Sequence, residues 1–332
     1  MMTTPQSASQ TAPWRILVAL AAVYLIWGST YLGIRFAIES VPPFLMAGMR
    51  NALAGGLLFV WARVRGTAAP RHVHWRSALI IGAFMLVGGN GGVTWAEQHV
   101  PSGLAALMIG ATPLWIVVLN WLAFGGTRPN RRMTLGLGVG LVGMALLVGP
   151  TQLIGDDQVD PVGSAVLLLA ALLWATGSLY SRQARLPDSP MQATGMEMLS
   201  GGVLLLLLGT ATGEWGDFHP GSISRRSAVA MVYLVLFGSL IGFTAYAWLL
   251  HHTTPARAAS YAYVNPIVAV ILGWALAGEA LTLRMILAAA VIIGSVVLIT
   301  SLRAQQGMRF PERDAEPTPL VEAARSEAGA GK

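Results

Sequence analysis

Ten long apolar runs divide this chain, and each is close to the length that a helix needs to cross a membrane. A hydrocarbon core about 30 Å thick requires roughly 20 consecutive apolar residues in helical form. Short segments with prolines or polar residues separate the runs, which favours a bundle of membrane helices joined by short loops. The runs are 16–36, 44–62, 78–95, 103–124, 133–149, 162–180, 191–211, 228–250, 258–277 and 283–302.

The composition excludes several other classes of protein. Only 11% of the 332 residues are charged, against about 25% in typical soluble domains. The chain has no cysteine and one lysine, Lys332, so thiolate chemistry and a Walker-type phosphate loop are excluded. We therefore expect an all-α integral membrane protein that is not an enzyme and has no catalytic residue, no cofactor and no metal site.

The net charge of +6 comes almost wholly from arginine, and the arginines mark orientation. With the N-terminus placed in the cytoplasm, most basic residues fall in cytoplasmic loops, as inner-membrane proteins require. Acidic residues such as Glu97 and Glu279 then fall on the outer side. The pattern predicts a multi-pass protein of the inner (plasma) membrane with both termini cytoplasmic, and it argues against a nucleic-acid partner.

The two halves of the sequence repeat each other. Trp27 matches Trp174 at an offset of 147, and Pro113 matches Pro266 at an offset of 153. Five spans per copy is an odd number, so the second copy must insert upside down, an arrangement typical of transporters with a site near the midplane. We expect a cytoplasmic tail (1–15), a first repeat of helices 1–5 (16–149), a periplasmic linker (150–161), a second repeat of helices 6–10 (162–302) and a disordered cytoplasmic tail (303–332).

Several ordered motifs carry a family resemblance. The segments IWGSTYLGIR, ESVPPFLMAGMR, GNGGVTWAEQHVPSGLAAL and SYAYVNPIVAVILGWALAGEALT closely resemble the EamA branch of the drug/metabolite transporter (DMT) superfamily, and in particular its YedA-like drug/metabolite exporters. The resemblance implies ten transmembrane helices in two inverted five-helix EamA repeats, and export of small organic solutes. One departure stands out: the second repeat has GEALT at 278–282, whereas the first has GGTRP at 125–129.

Polar and aromatic residues inside the spans are the candidates for a solute pathway. Hydroxyls beside tryptophans on the first and sixth spans suit a solute that is partly apolar and partly polar, although helix–helix hydrogen bonding explains them equally well. Asn90 lies between paired glycines, which predicts either unwound backbone or close helix packing. The predicted pathway comprises Trp27, Ser29, Thr30, Tyr31, Asn90, Thr94, Met108, Thr112, Trp174, Thr176, Ser178, Tyr261, Tyr263 and Asn265.

Two charged residues lie within spans at matching repeat positions, Arg50 and Glu197. Charged groups in a membrane are costly and usually face a cavity or a partner. They are candidates for ion coupling, with Glu197 the better proton carrier; the alternative is that they satisfy backbone groups or reach an interface. Pro113 and Pro266 predict matching helix kinks that act in gating, and Tyr246 is expected in an interfacial aromatic belt.

The leading functional prediction is a secondary transporter that works by alternating access and is driven by a gradient. A passive channel or facilitator remains an alternative, because sequence does not separate it from a carrier. A membrane-embedded enzyme is disfavoured, since it would need clustered His, Asp or Glu inside the spans. The expected partners are a small-molecule substrate, the lipid bilayer and a coupling proton or ion; the sequence leaves the oligomeric state open.

Overall fold

The computed structural model describes residues 13–126, 128–129, 131–148, 160–252 and 261–305, and within these ranges it contains helices and no strand. Most of the described chain falls into ten helical segments, with two short 3₁₀ turns after the seventh. The segments are α1 (Pro13–Ala37), α2 (Pro43–Val64), α3 (His72–Ala96), α4 (Ser102–Leu122), α5 (Arg131–Val148), α6 (Pro161–Ser181), α7 (Pro190–Ala211), α8 (Arg225–Tyr233, Leu234–Ile241 and Gly242–His252), α9 (Tyr261–Ala277) and α10 (Leu283–Gln305).

Seven of these helices are long and apolar enough to cross a membrane, judged on the described residues alone: α1, α2, α3, α4, α6, α7 and α8. The helices α5, α9 and α10 contain shorter apolar stretches, at Thr134–Gly143, Val264–Ala277 and Leu283–Ser295. The prediction of an all-helical membrane fold is confirmed in this coarser form. A count of ten spans stays a prediction.

Two helices extend into segments that the sequence analysis assigned to the terminal tails. Helix α1 begins at Pro13, inside the expected tail, because proline needs no backbone N–H partner in the first helical turn. Helix α10 continues to Gln305, three residues into the segment expected to be disordered. The expected linker lies outside the described residues except for its end, where the Asp160 carboxylate accepts hydrogen bonds from the first backbone N–H groups of α6.

The helices α2 and α7, which occupy matching places in the two repeats, pack along each other. A methyl group on Gly48 would lie 2.8 Å from Cγ of Leu206, and one on Gly195 would lie 2.7 Å from the backbone nitrogen of Phe59. At the repeat offset of 147, Gly48 matches Gly195 and Phe59 matches Leu206. The contact is therefore made twice with the two helices exchanged, as a two-fold axis requires.

A second pair of contacts follows the same rule. Gly55 lies directly against the backbone of Leu199, and Gly202 lies directly against the backbone of Ala52. At the same offset Gly55 matches Gly202 and Ala52 matches Leu199. Across the four contacts, residues later in α2 meet residues earlier in α7, so the two helices run antiparallel. This geometry supports the inverted arrangement of the repeats.

The helices α5 and α10 form another pair of matching helices in contact. A methyl group on Gly140 would lie 2.6 Å from Oγ of Ser295, and one on Gly143 would lie 2.8 Å from Cγ1 of Ile292. The Ser295 hydroxyl also donates a 2.7 Å hydrogen bond to the carbonyl of Gly136. Small residues thus let these two backbones approach closely, which is how helices associate in lipid.

Two π-helical segments also occupy matching helices. Helix α3 widens into a π-helix over Gly82–Gly91, and α8 does so over Leu234–Ile241. Both segments keep right-handed helical backbone at their flanks and run on into α-helix. Of the two alternatives for Asn90, the structure has close helix packing: the paired glycines lie in a continuous helix with a wider turn.

Candidate functional site

One face of α1 carries the residues around which the candidate site is built. Trp27, Tyr31 and Arg35 follow each other at intervals of four, so their side chains lie on the same side of the helix. They cover about 12 Å along the helix axis at 1.5 Å per residue. Helix α1 belongs to the first repeat but packs against α8 and α9 of the second, as well as against α4. This face therefore lies between the repeats.

Trp27 is the centre of an aromatic cluster. Its ring centroid lies 5.2 Å from Phe243, 5.1 Å from Tyr246 and 4.9 Å from Tyr261. The indole N–H donates a 3.1 Å hydrogen bond to the carbonyl of Gly238 in the π segment of α8. Such edge-on ring contacts stabilise more than their area alone. The expectation that Tyr246 belongs to an interfacial belt is wrong, because it packs inside the bundle against Trp27.

Trp174 occupies the matching position in the other half of the bundle. A methyl group on Gly89, in the π segment of α3, would lie 2.8 Å from the Trp174 ring, and one on Gly242 would lie 2.5 Å from the Trp27 ring nitrogen. Gly89 and Gly242 match at the offset of 153 (242 − 89 = 153). Each tryptophan therefore packs on the matching glycine of the opposite repeat. Trp27 and Trp174 therefore pack at two different places in the bundle, Trp27 against α8 and α9 and Trp174 against α3.

The side chain of Asn90 on α3 is hydrogen-bonded to two residues of α2. Its side-chain oxygen accepts hydrogen bonds from the Arg50 guanidinium at 3.0 Å and from the Asn51 amide at 3.3 Å. The Thr94 hydroxyl donates to the Asn90 carbonyl at 2.8 Å. Arg50 is only 5% exposed, yet its Nε and Nη1 atoms have no hydrogen-bond partner in the structure. Unpaired buried donors are rare, so these two make Arg50 a candidate partner for a solute.

Glu97 is a candidate site residue that the sequence did not single out. It directly follows α3, where an acidic residue resembles an ordinary loop residue, but it is 1% exposed, and neither carboxylate oxygen has a hydrogen-bond partner among the described residues. Arg35 reaches its backbone carbonyl at 3.5 Å. Burial raises the pKa of Glu97 well above its usual value, and the negative charge of Glu279 raises it further, while Arg35 and Arg50 act in the opposite direction.

This shift in pKa predicts how stability depends on pH. Because the folded protein holds the Glu97 proton more tightly than the unfolded chain, stability should fall as pH rises from about 4.3, the ordinary glutamate pKa, towards the higher folded value. The charged groups that face Glu97 are Arg35, Arg50 and Glu279, together with the Tyr31 hydroxyl.

The test is the thermal unfolding temperature of purified protein between pH 5 and pH 8. Wild type should gain stability on acidification relative to Glu97→Gln, which mimics the neutral carboxyl and should flatten this part of the profile. Glu39→Gln, at an exposed position, is the control and should follow wild type. Equal pH profiles for wild type and Glu97→Gln would contradict the assignment of a buried proton.

Two glutamates of the second repeat cap helices of the first. The Glu279 carboxylate accepts from the backbone N–H and hydroxyl of Ser102 at 2.8 and 2.7 Å and from the N–H of Gly103 at 2.9 Å. It also lies 3.7 Å from Nε of Arg35. The Glu214 carboxylate accepts from the N–H groups of Phe44 and Leu45 in the same way. We call this end of the bundle the Glu279 end and the opposite end, where α6 stops, the Arg182 end.

Glu279 explains the sequence departure between the repeats. The matching position in the first repeat is Gly126 (126 + 153 = 279), which has no carboxylate to offer. The cap on α4 is thus asymmetric: the second repeat supplies it and the first repeat receives it. Since the N-terminus of a helix carries unpaired N–H groups and a partial positive charge, this carboxylate fastens the two repeats together at the Glu279 end.

Removing this cap should destabilise the protein strongly. Glu279→Ala leaves two helix N–H groups and a buried hydroxyl without their acceptor, and hydrogen bonds to charged groups contribute about 1.5–3 kcal/mol each, not fully additively. We expect a loss of about 3 kcal/mol or more in unfolding experiments in detergent. Glu39→Ala, which breaks only the exposed 3.2 Å ion pair with Arg226, should cost about 1 kcal/mol or less. Similar losses in both variants would contradict the capping role.

The other predicted residues fall into three groups. Thr30, Thr112 and Thr176 donate to carbonyls of their own helices, to Trp27, Ile109 and Leu172 respectively. Ser29 bonds the Tyr233 hydroxyl at 2.6 Å across to α8, and the buried Asn265 amide, with its nitrogen turned towards them, reaches the carbonyls of Tyr261 and Tyr24. Met108 is fully buried in the apolar core, Ser178 is half-buried on α6, and the side chain of Tyr263 lies outside the described residues.

The remaining two predictions, on the charged pair and on the kinks, have mixed outcomes. The structure does not bring Arg50 and Glu197 together: Arg50 bonds Asn90, and Glu197 is half-buried on α7. Helix α4 is interrupted at Gly110–Ala111, directly before Thr112 and Pro113, whereas α9 runs unbroken through Pro266. The gating role of kinks at Pro113 and Pro266 stays a prediction. The interruption of α4 lies beside the second proline, since a methyl on Gly110 would lie 2.8 Å from Cγ of Pro266.

Comparison with known proteins assigns the class. The profile of the EamA-like transporter family matches residues 13–149 and 161–301, one copy for each repeat. The chain therefore belongs to the EamA-like transporter family, within the DMT superfamily.

Individual relatives agree with this class. The chain is 41% identical over 283 residues to the inner membrane transporter YedA of Escherichia coli (strain K12), covering 85% of this chain and 89% of the relative. It is 24% identical to the transporter YoaV of Bacillus subtilis (strain 168), covering 86% and 97%. A crystal structure of a protein with 22% identity superposes with a TM-score of 0.59 over 89% of this chain and 99% of the other, which supports the fold.

Proposed function

We propose that the protein exports small organic solutes across the inner membrane by alternating access, driven by a gradient. The observation that carries this proposal is the doubled set of contacts between the repeats, in which each tryptophan packs on the matching glycine of the opposite repeat. An inverted repeat has two related packings of similar energy, one open to each side, so rocking one repeat against the other exposes a central site alternately.

The solute path follows the α1 face between the repeats. Near Trp27 the solute meets aromatic rings, and near Tyr31 it meets the hydroxyl of that half-buried residue. Beyond Tyr31 it meets the unpaired donors of Arg50, beside Asn90. This sequence of groups suits a compact solute with an apolar body and a group that accepts hydrogen bonds. The site residues Trp174, Thr176 and Ser178 line the related route on the α6 side.

The coupling groups in this proposal are Glu97 and Glu197, with Arg50 between the repeats as a fixed positive charge. A carboxyl that is buried in one state and wetted in the other binds a proton on one side and releases it on the other. We place the Glu279 end in the periplasm and the Arg182 end in the cytoplasm, because the arginine distribution requires both termini inside.

The experiment has two stages. A strain that overproduces the protein is screened for growth against metabolites and toxic analogues, beside strains that produce Arg50→Gln and the exposed control Arg76→Gln at equal membrane levels. A solute that wild type and Arg76→Gln tolerate better than Arg50→Gln is the lead. Purified protein in proteoliposomes free of ATP should then show saturable counterflow of that solute. Flux that rises linearly without counterflow would instead indicate a facilitator, and a requirement for ATP would contradict the proposal.

A further inference from the structure

A lateral groove opens between α1, α8 and α9, on the outside of the helix bundle. It has a volume of about 580 Å³, and its lining is almost entirely apolar. Residues from both repeats form its walls, among them Leu32 and Phe36 on α1, Val229 on α8 and Leu276 on α9. Val229 and Leu276 are 63% and 61% exposed, so the groove is open at its side.

The depth of the groove identifies what fills it. It extends along α8 from Arg225, in the first turn, to Tyr233, and eight residues of helix span about 12 Å. Since α8 is one of the helices that can cross the membrane, the groove runs from the membrane surface into the hydrocarbon layer. An open apolar groove at that depth faces lipid and not water, so an acyl chain is the occupant that fits it.

The rim of the groove selects the headgroup. Arg226 stacks on the Phe36 ring at 3.5 Å and pairs with Glu39 at 3.2 Å. Arg225 lines the same rim, is exposed, and forms no ion pair with any described residue. Two arginines against one glutamate leave the rim with a charge of +1. A guanidinium at the membrane surface is a good partner for a phosphate.

We propose that this groove is a specific site for an anionic phospholipid, with an acyl chain between α1, α8 and α9 and its anionic headgroup on Arg225. Because its walls come from both repeats, the bound lipid stabilises one arrangement of α1 against α8. The hydroxyl pair of Ser29 and Tyr233 closes the inner end of the groove, which keeps the acyl chain separate from the aromatic cluster at Trp27. The site does not depend on which solute the protein moves.

Native mass spectrometry of the purified full chain tests the site directly. The protein in detergent is mixed with equal amounts of phosphatidylglycerol and phosphatidylcholine that carry the same acyl chains. Wild type should retain the anionic lipid about fivefold more than the neutral one, the ratio expected from about 1 kcal/mol per basic residue at an anionic headgroup. Arg225→Gln should bring the ratio close to one.

A second variant tests the binding of the lipid acyl chain separately from the binding of the headgroup. Val229→Trp fills the groove from an exposed position and should lower retention of both lipids. Two controls should behave as wild type: Val232→Trp, 57% exposed on the same helix but outside the groove, and Arg65→Gln, an exposed arginine at the end of α2. Equal retention of the two lipids by wild type, or equal losses in the controls, would overturn the proposal.

Discussion

Replacing Gly55 by alanine should prevent stable folding, whereas the same change at the adjacent Gly56 should have little effect. A methyl group on Gly55 would overlap the backbone nitrogen of Leu199 and lie 2.8 Å from the carbonyl oxygen of Gly195, both in α7. Overpacking typically costs about 1–3 kcal/mol, and here the obstacle is backbone, which cannot rotate away. Around Gly56 no described atom outside its own stretch of helix lies within 4 Å of the added methyl.

The measurement is the amount of protein in the membrane and its unfolding temperature in detergent. Gly202→Ala, the matching change in the second repeat, should be as damaging as Gly55→Ala, because its methyl would overlap the backbone of Ala52. Gly56→Ala should equal or slightly exceed wild type, since alanine favours helix over glycine by about 1 kcal/mol. If Gly55→Ala and Gly56→Ala were equally stable, the close crossing of α2 and α7 would be wrong.

Replacing Trp27 by alanine should have the second largest effect. The change removes three ring contacts and the hydrogen bond to Gly238. Similar substitutions in water-soluble cores cost about 3–5 kcal/mol, part for the cavity and part for the lost transfer of apolar atoms out of water. In a membrane the cavity part remains but the transfer part is small, because lipid is itself apolar, so the loss should lie near the lower value. Trp27→Phe keeps a ring and loses the N–H donor, so it should cost about 1 kcal/mol for the hydrogen bond.

Trp14→Ala is the matched control on the same helix, because Trp14 is 61% exposed and lies outside the aromatic cluster. Unfolding temperature and transport are measured on the same preparations. We expect Trp27→Phe to fold well and still to transport less than Trp14→Ala. Full transport by a well-folded Trp27→Phe would place the solute path away from the α1 face.

The repeat and the membrane class could be predicted from the sequence because both determine which residue types occur at which positions. Apolar runs reflect the bilayer, and paired residues such as Trp27 and Trp174 keep their identity at a constant offset. The prediction of an EamA-type transporter with resemblance to YedA is confirmed on this basis. These patterns require no knowledge of which helices touch.

The contacts of the candidate site could not be predicted in the same way, because they depend on which residues of distant helices meet. Glu97 and Glu279 both look like ordinary loop residues in the sequence. The Glu97 carboxylate is buried with no hydrogen bond to a described residue, whereas Glu279 caps a helix of the opposite repeat. The glycines around Asn90 were compatible with unwound backbone or with close packing; in the structure they allow Leu173 and Trp174 of α6 to pack closely. Close packing and unwinding favour the same residues, so composition does not distinguish them.

The central claim is that the path opens to one side at a time. The chain contains no cysteine, so a single introduced cysteine reports without background. Thr94 lies near the Glu279 end of α3 and Thr176 near the Arg182 end of α6, and each hydroxyl bonds only a carbonyl of its own helix. Thr94→Cys and Thr176→Cys should therefore both preserve the fold.

The most direct test is to label each cysteine with a membrane-impermeant thiol reagent in right-side-out and inside-out vesicles, with and without the transported solute. Thr94 is fully buried in this structure, so we predict that Thr94→Cys reacts only from the periplasmic side, and only when the path opens to that side. Thr176→Cys should react only from the cytoplasmic side. The solute should change the two rates in opposite directions. If either cysteine reacts from both sides, or if the solute raises both rates together, the path is open throughout and alternating access is contradicted.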